Sequence, residues 1–175
     1  MTIILKSGSL ITIGRAKNEN GFTLIEMVCV ISLLTILMLI AVPAMADFGK
    51  NQALEVAART LAIDLRKSQQ LAITSGWTQL VEFRGDPHYH PQYCLKDGKT
   101  NESNLVKLPE GINYYYNNFP KIDSVRTLKF MRSGAPNSGG TVALQNKTGK
   151  ILYIIVAPAT GRIRVSNLPP ASWEQ

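Results

Sequence analysis

Between Met27 and Ala46 the chain runs for 20 residues without a charge, enough for one helix to cross a bilayer. The apolar pattern then changes period. Over residues 50–74, Leu54, Ala58, Leu61, Leu65 and Ala72 recur at spacings of three, four and seven, with Val56, Ala57 and Ala62 widening the stripe. That is a helical repeat. Lys50, Glu55, Arg59, Asp64, Arg66 and Lys67 fall on the opposite face. The pattern predicts a helix from about Phe22 to Thr74, apolar all round in its membrane half (22–46) and amphipathic at about 50–74. Pro43 is placed to kink it, and Ser75-Gly76 to end it. Such an amphipathic half needs a cover, and the residues after it must supply one.

From Trp77 onward the period shortens to that of strands. Thr78–Arg84 alternates imperfectly, with Leu80, Glu82 and Arg84 on one face and Gln79, Val81 and Phe83 on the other, until Gly85-Asp86-Pro87 breaks it. Further strands are predicted at Tyr93–Lys96, Leu105–Leu108, Ile112–Tyr116 and Thr127–Met131, with turn chemistry at Asp97-Gly98 and Pro109-Glu110-Gly111. A meander closes the chain: Thr141–Gln145, a turn at 146–149, Lys150–Ala157, a turn at 158–161, and Arg162–Ser166. Ile151–Val156 is apolar at every position, as expected of a central strand covered on both faces, by the long helix on one side. Ser133–Gly140 reads as a loop. The whole is an α+β chain: a helix half in the membrane, then one domain over 47–175 with its strands in 77–167.

Charge changes the picture once it is divided. The net charge is +7. Residues 22–120 carry 8 basic and 9 acidic side chains, a balance of −1, whereas residues 121–175 carry 8 basic and 2 acidic, a balance of +6. The basic character thus belongs to the C-terminal third, which suits an anionic partner such as nucleic acid or a lipid surface, or a solvated surface with no partner. Lys6, Arg15 and Lys17 precede the apolar run, which places that end in the cytoplasm and sends the rest outward. Cys29 in the apolar run and Cys94 far outside it make no intrachain bridge; Cys94 reads as a buried free thiol.

Ahead of the apolar run stands Gly21-Phe22-Thr23-Leu24-Ile25-Glu26. Glu26 heads that run, where an ionised carboxylate is costly unless paired. These six residues resemble the processing motif of type IV prepilins and type II secretion pseudopilins. The resemblance implies removal of residues 1–21 by a prepilin peptidase, with Phe22 as the new and usually N-methylated terminus. It further implies that Glu26 pairs in a filament with the terminal amine of a neighbouring subunit. A cation supplied in trans would offset the cost of one buried anion. The anchor would then stay with the mature chain, single-pass in the inner membrane with its C-terminal domain periplasmic, before assembly into a pilus at the cell surface.

Candidate chemistry elsewhere is sparse. His88, His90 and Cys94 supply soft ligand types without a fourth ligand nearby, and fit an irregular surface connection better than a metal site. Tyr114-Tyr115-Tyr116 fits an aromatic strand with one ring in the core, or a platform on which bases stack. No phosphate-binding glycine loop, nucleophilic triad or carboxylate pair stands out in the sequence. This is the pattern of a non-enzyme, with no cofactor or metal expected.

Near the C-terminus lies Gly161-Arg162-Ile163-Arg164-Val165. On a strand Arg162 and Arg164 share one face, with Ile163 and Val165 turned inward. Two guanidiniums about 7 Å apart can each engage a phosphate in fork geometry. Lys147 and Lys150, at the preceding turn, and Arg132, before the 133–140 loop, are placed in sequence to extend the patch. With the N-terminal motif, the long helix and the Thr141–Val156 strand pair, this stretch resembles the GspH/FimT family: minor subunits with a type IV pilin-like fold, a long N-terminal helix packed on an antiparallel β-rich domain. FimT-like members bind DNA through a Gly-Arg-X-Arg motif, which Gly161, Arg162 and Arg164 match residue by residue. The implied partners are double-stranded DNA, other pilin subunits and the peptidase, and the implied role is DNA uptake in natural transformation. GspH-like pseudopilins share the fold but serve type II secretion, and remain the alternative.

Overall fold

The computed structural model describes residues 21–85 and 91–170, apart from the side chains at 42–46, Pro43 among them. Its helix, α1, covers Leu24–Ser75. The chain divides into two units, one reaching Ala41 and the other starting at Val42, and each stands by itself below. In the first, Leu24–Ala41 is an 18-residue span of mean hydropathy 2.7, none of it buried in the protein. Thr23 caps this helix, its hydroxyl accepting from the Glu26 amide at 3.2 Å.

In the second unit the helix follows its predicted stripe. Leu54, Ala57, Ala58, Leu61, Ala62, Leu65 and Ala72 are buried. Val56 is not; it is 54% exposed, because it lies outside the arc that the i, i+3, i+4 positions define. Gly76, at φ +69°, ends the helix in the left-handed conformation.

Among the described residues nine strands follow, β1 Gln79–Arg84, β2 Gln92–Asp97, β3 Ser103–Lys107, β4 Ile112–Asn117, β5 Lys121–Ile122, β6 Val125–Phe130, β7 Gly140–Asn146, β8 Ile151–Val156 and β9 Ile163–Ser166. They form two sheets, ordered β3-β2-β1-β6-β5 and β4-β7-β8-β9, with every strand pair antiparallel. The two-residue β5 has no counterpart in the sequence reading, since Lys121-Ile122 is too short to show a period. Among the described residues a hydrophobic cluster joins the helix stripe to Val81, Phe83, Leu128 and Phe130 of one sheet and to Val142, Leu144, Ile154 and Val156 of the other. Removing that much apolar surface from water is the main stabilising term, at about 25 cal/mol per Å².

The sequence reading of β8 needs correction. Leu152, Ile154 and Val156 join the cluster, but Ile151 and Ile155 are half-buried. The strand is interior to its sheet, and on its outer face only Tyr153, between those two isoleucines, is buried. Ile155 on that face lines a surface depression, described next. Cys94 is buried as expected, and Cys29 is exposed. The tyrosine run divides as a core strand would. Tyr114 packs edge-on to Phe83 and donates from its hydroxyl to the Gln92 carbonyl at 3.0 Å, while Tyr115 is exposed where a bulge shifts the β4–β7 register.

Candidate functional site

Strand β9 lies at the edge of the four-stranded sheet and pairs Ile163 with Val156, Arg164 with Ile155 and Val165 with Ile154. Opposed residues in an antiparallel ladder share a face. Ile163 therefore turns inward with Val156 and is buried, and Arg164 turns outward over Ile155. Arg162, two residues earlier, lies just beyond the strand and has the same outward sense. Both arginines are exposed, and both line one open depression of about 600 Å³ with Ile155, Pro158 and Thr141. Val165 departs from the expectation: it is 36% exposed, because an open groove between it and Arg59, Ala62 and Arg66 of the helix admits solvent.

The turn carrying Arg162 is tightly built. The Ala157 amide donates to the Arg162 carbonyl at 3.0 Å, and the Gly161 amide to the Ala157 carbonyl at 3.0 Å. Gly161 is buried at φ +63°, and a Cβ there would come within 2.5 Å of Gln69 Nε2, 3.1 Å of the Gly134 carbonyl oxygen and 3.2 Å of Pro136. The left-handed backbone favours glycine, and a Cβ would also displace the Gln69 side-chain amide and crowd the Gly134 carbonyl. Gly161 is thus a packing residue that seats the turn on the helix and on the 131–136 loop, where Gln69 Nε2 also donates to the Gly134 carbonyl at 2.9 Å. It positions the arginines and offers no side chain of its own.

The other basic residues separate. Arg132 belongs to the loop that supports Gly161 and lies over the Trp77 ring, 5.7 Å from its centroid, a cation–π contact. Lys147 and Lys150 are exposed, but their turn joins β7 to β8 at the far end of β8 from Arg162. From Lys150 to Ala157, opposite Arg162, is seven residues of extended chain, roughly 23 Å. The meander that brings these residues close in sequence sets them at opposite ends of one sheet.

Sequence reasoning passed over Arg59 and Arg66. Arg66 of the helix donates from Nη2 to the Ile163 carbonyl at 3.0 Å, which places its guanidinium on the free edge of β9. Arg59 pairs with Glu55 at 2.6 Å. The signal was present in their seven-residue spacing, but nothing in the sequence says that this helix face borders β9.

Glu82 is buried; burial pushes its carboxyl up, but ion pairs with Lys96 and Arg84 outweigh that and hold it below the usual 4.5. The Tyr93 hydroxyl donates to the Asp64 carboxylate, and burial followed by that contact pushes Tyr93 far above its ordinary value of 10.0. Among the described residues no cluster of His, Cys, Asp and Glu could hold a metal ion; His88 and His90 lie outside the described residues.

The chain matches the prokaryotic N-terminal methylation motif over residues 16–42, which include Gly21, Phe22 and Glu26. The competence protein ComGD of Bacillus subtilis (strain 168) is 28% identical over 154 residues, covering 87% of this chain and 97% of that protein. The type IV minor pilin FimU of Pseudomonas aeruginosa PAO1 has a similar fold, with a TM-score of 0.51 at 17% identity, covering 71% of this chain and 94% of that one. The minor pseudopilin EpsH of the type 2 secretion system of Vibrio cholerae aligns with a TM-score of 0.45 at 16% identity, over 65% of this chain and 95% of that one. The chain therefore carries a prokaryotic N-terminal methylation motif that overlaps an apolar helix long enough to cross a membrane, and its fold is similar to that of a type IV minor pilin.

Proposed function

We propose that this chain is a FimT-like minor pilin that binds extracellular duplex DNA, independently of sequence, for uptake in transformation. The observation that carries the reading is the pair Arg162 and Arg164, exposed on the outer face of an edge strand and lining one depression, on a turn that the buried Gly161 holds in place. Two guanidiniums at that spacing suit neighbouring phosphates, and phosphate contacts carry no base information. The relative ComGD bears the name of a competence protein, which supports uptake over secretion as the setting. At the other end of the chain, cleavage after Gly21 frees Phe22 for methylation, and Glu26 pairs with a neighbour's terminal amine in the filament. An uncut chain by intact mass, in a host that makes pili, would rule out that processing.

The test of DNA binding uses the processed chain in non-ionic detergent, titrated with labelled duplex at two salt concentrations. With about two to four phosphates neutralised, binding is in the micromolar-or-weaker range and falls with a log–log salt slope near −2 to −4. Arg162→Gln with Arg164→Gln removes most of it with an unchanged melting temperature. Replacement of both by Lys restores only part, because the charge returns without the fork. Equal binding by native and double-Gln chains would take both arginines out of the site. No binding by the native chain at low salt would end the reading.

A further inference from the structure

The seat of Arg162 and Arg164 has a second side. Along β9 the Arg162 carbonyl turns toward β8, where it accepts from Ala157, so the backbone of Ile163 turns to the free edge. Arg66 takes that carbonyl with one of the five N–H donors of its guanidinium. Its charge is therefore held at the rim of the sheet. Among the described residues no carboxylate forms an ion pair with it. Behind the rim lies a groove of about 420 Å³, lined by Arg59, Arg66 and Glu55 of the helix and by Val165 and Asn167. Arg59 and Arg66 are two helical turns apart, about 10 Å, on the same helix face. The Arg59–Glu55 pair has side chains 69% and 48% exposed, a weak contact that a phosphate can replace.

A strand edge with cations on both sides differs from a flat basic patch. Arginines on one face of β9 reach one row of phosphates. With Arg59 and Arg66 on the other side, the same edge is flanked by charge as a duplex groove is flanked by its two backbones. Resting on the duplex-binding reading above, we propose that the DNA-binding surface continues across the edge of β9 onto the helix, where Arg59 and Arg66 engage the backbone of the duplex held by Arg162 and Arg164, and Glu55 weakens that grip.

The experiment again uses the processed chain in non-ionic detergent with labelled duplex, and three variants. Arg59→Gln touches only the exposed pair with Glu55. It should weaken binding about two- to fourfold and make the salt slope shallower by roughly one. Glu55→Gln should tighten binding by a similar factor, by removing a repelling charge and freeing Arg59. A purely structural role for these residues predicts no such gain. Arg66→Gln, checked for an unchanged melting temperature, should act like Arg59→Gln. Native affinity and slope for Arg59→Gln and Glu55→Gln, beside a collapse for the Arg162/Arg164 double variant, would overturn this inference and leave the duplex-binding reading standing. Absence of binding by the native chain would overturn both.

Discussion

Strand β8 carries a basic turn at each end, and the two turns are built differently. At the β7–β8 end, Asn146 is the buried organiser: its Nδ2 donates to Asn51 Oδ1 at 2.8 Å, and its Oδ1 accepts from the amides of Thr148 and Lys150 at 3.1 and 3.0 Å. Lys147 and Lys150 are exposed there, on flexible stems. At the β8–β9 end a buried glycine closes the turn against the helix and a neighbouring loop, and two arginines share one depression. Each end carries two positive charges. Both backbones are held by hydrogen bonds; the difference is that the two arginines line one depression. On the duplex-binding reading proposed above, that shared depression, more than the number of charges, sets the arginine end apart.

Both turns lean on the helix, one through Asn51 and the other through Arg66, which donates to the Ile163 carbonyl beside it. Leu61 lies between those residues and is fully buried. Leu61→Asp forces an unpaired charge under both sheets. A loss on the order of 4–5 kcal/mol or more is most of a typical folding free energy of roughly 5–15 kcal/mol. Circular dichroism should show the strand signal lost and both turns released together. A variant that keeps its native melt would mean that the turns do not depend on a common helix.

Next in size is a paired glycine test. Gly149 at the first turn and Gly161 at the second both have positive φ, +86° and +63°. A Cβ at Gly149 meets nothing within 4 Å, whereas at Gly161 it meets Gln69, Gly134 and Pro136. Gly149→Ala should therefore cost only left-handed strain, about 1–2 kcal/mol. Gly161→Ala adds the displaced Gln69–Gly134 hydrogen bond, for a total of roughly 2–4 kcal/mol, and also weakens DNA binding by tilting Arg162. Equal melting temperatures for the two variants would erase the distinction drawn between the turns.

The sequence made one part of this comparison legible and hid the other. The helix stripe and the strand alternation depend on local periods, so Leu54, Leu61, Leu65, Ile163 and the outward pair Arg162 and Arg164 were readable without a structure. Ser75-Gly76 and the turn residues worked because glycine has a local conformational signature. What failed was distance along a meander. Lys147 stands 15 positions before Arg162 and looks like a neighbour, but one strand carries the chain the length of the sheet between them. Arg66 stands 97 positions before Ile163 and bonds to it, a contact that no period encodes. The outer face of β8 misled for a related reason: an unbroken apolar run signals burial, and here part of it floors an open depression.

The smallest effect is the one that most directly sets the two ends apart. Lys147→Gln with Lys150→Gln removes as much formal charge as the arginine double variant. Yet the lysines lie roughly 23 Å along the strand from the position opposite Arg162. The screening length is about 8 Å at physiological salt and about 30 Å at 0.01 M. At physiological salt the lysine variant should bind duplex within about twofold of native, with an unchanged salt slope, because no phosphate contact has been lost. At 0.01 M its affinity should drop visibly below native, since the screening length then exceeds the separation. The arginine variant should be impaired at both. Should the lysine variant lose as much as the arginine variant at physiological salt, the duplex would lie along the whole length of β8 and touch both turns, making two ends of one site out of what the geometry presents as two different surfaces.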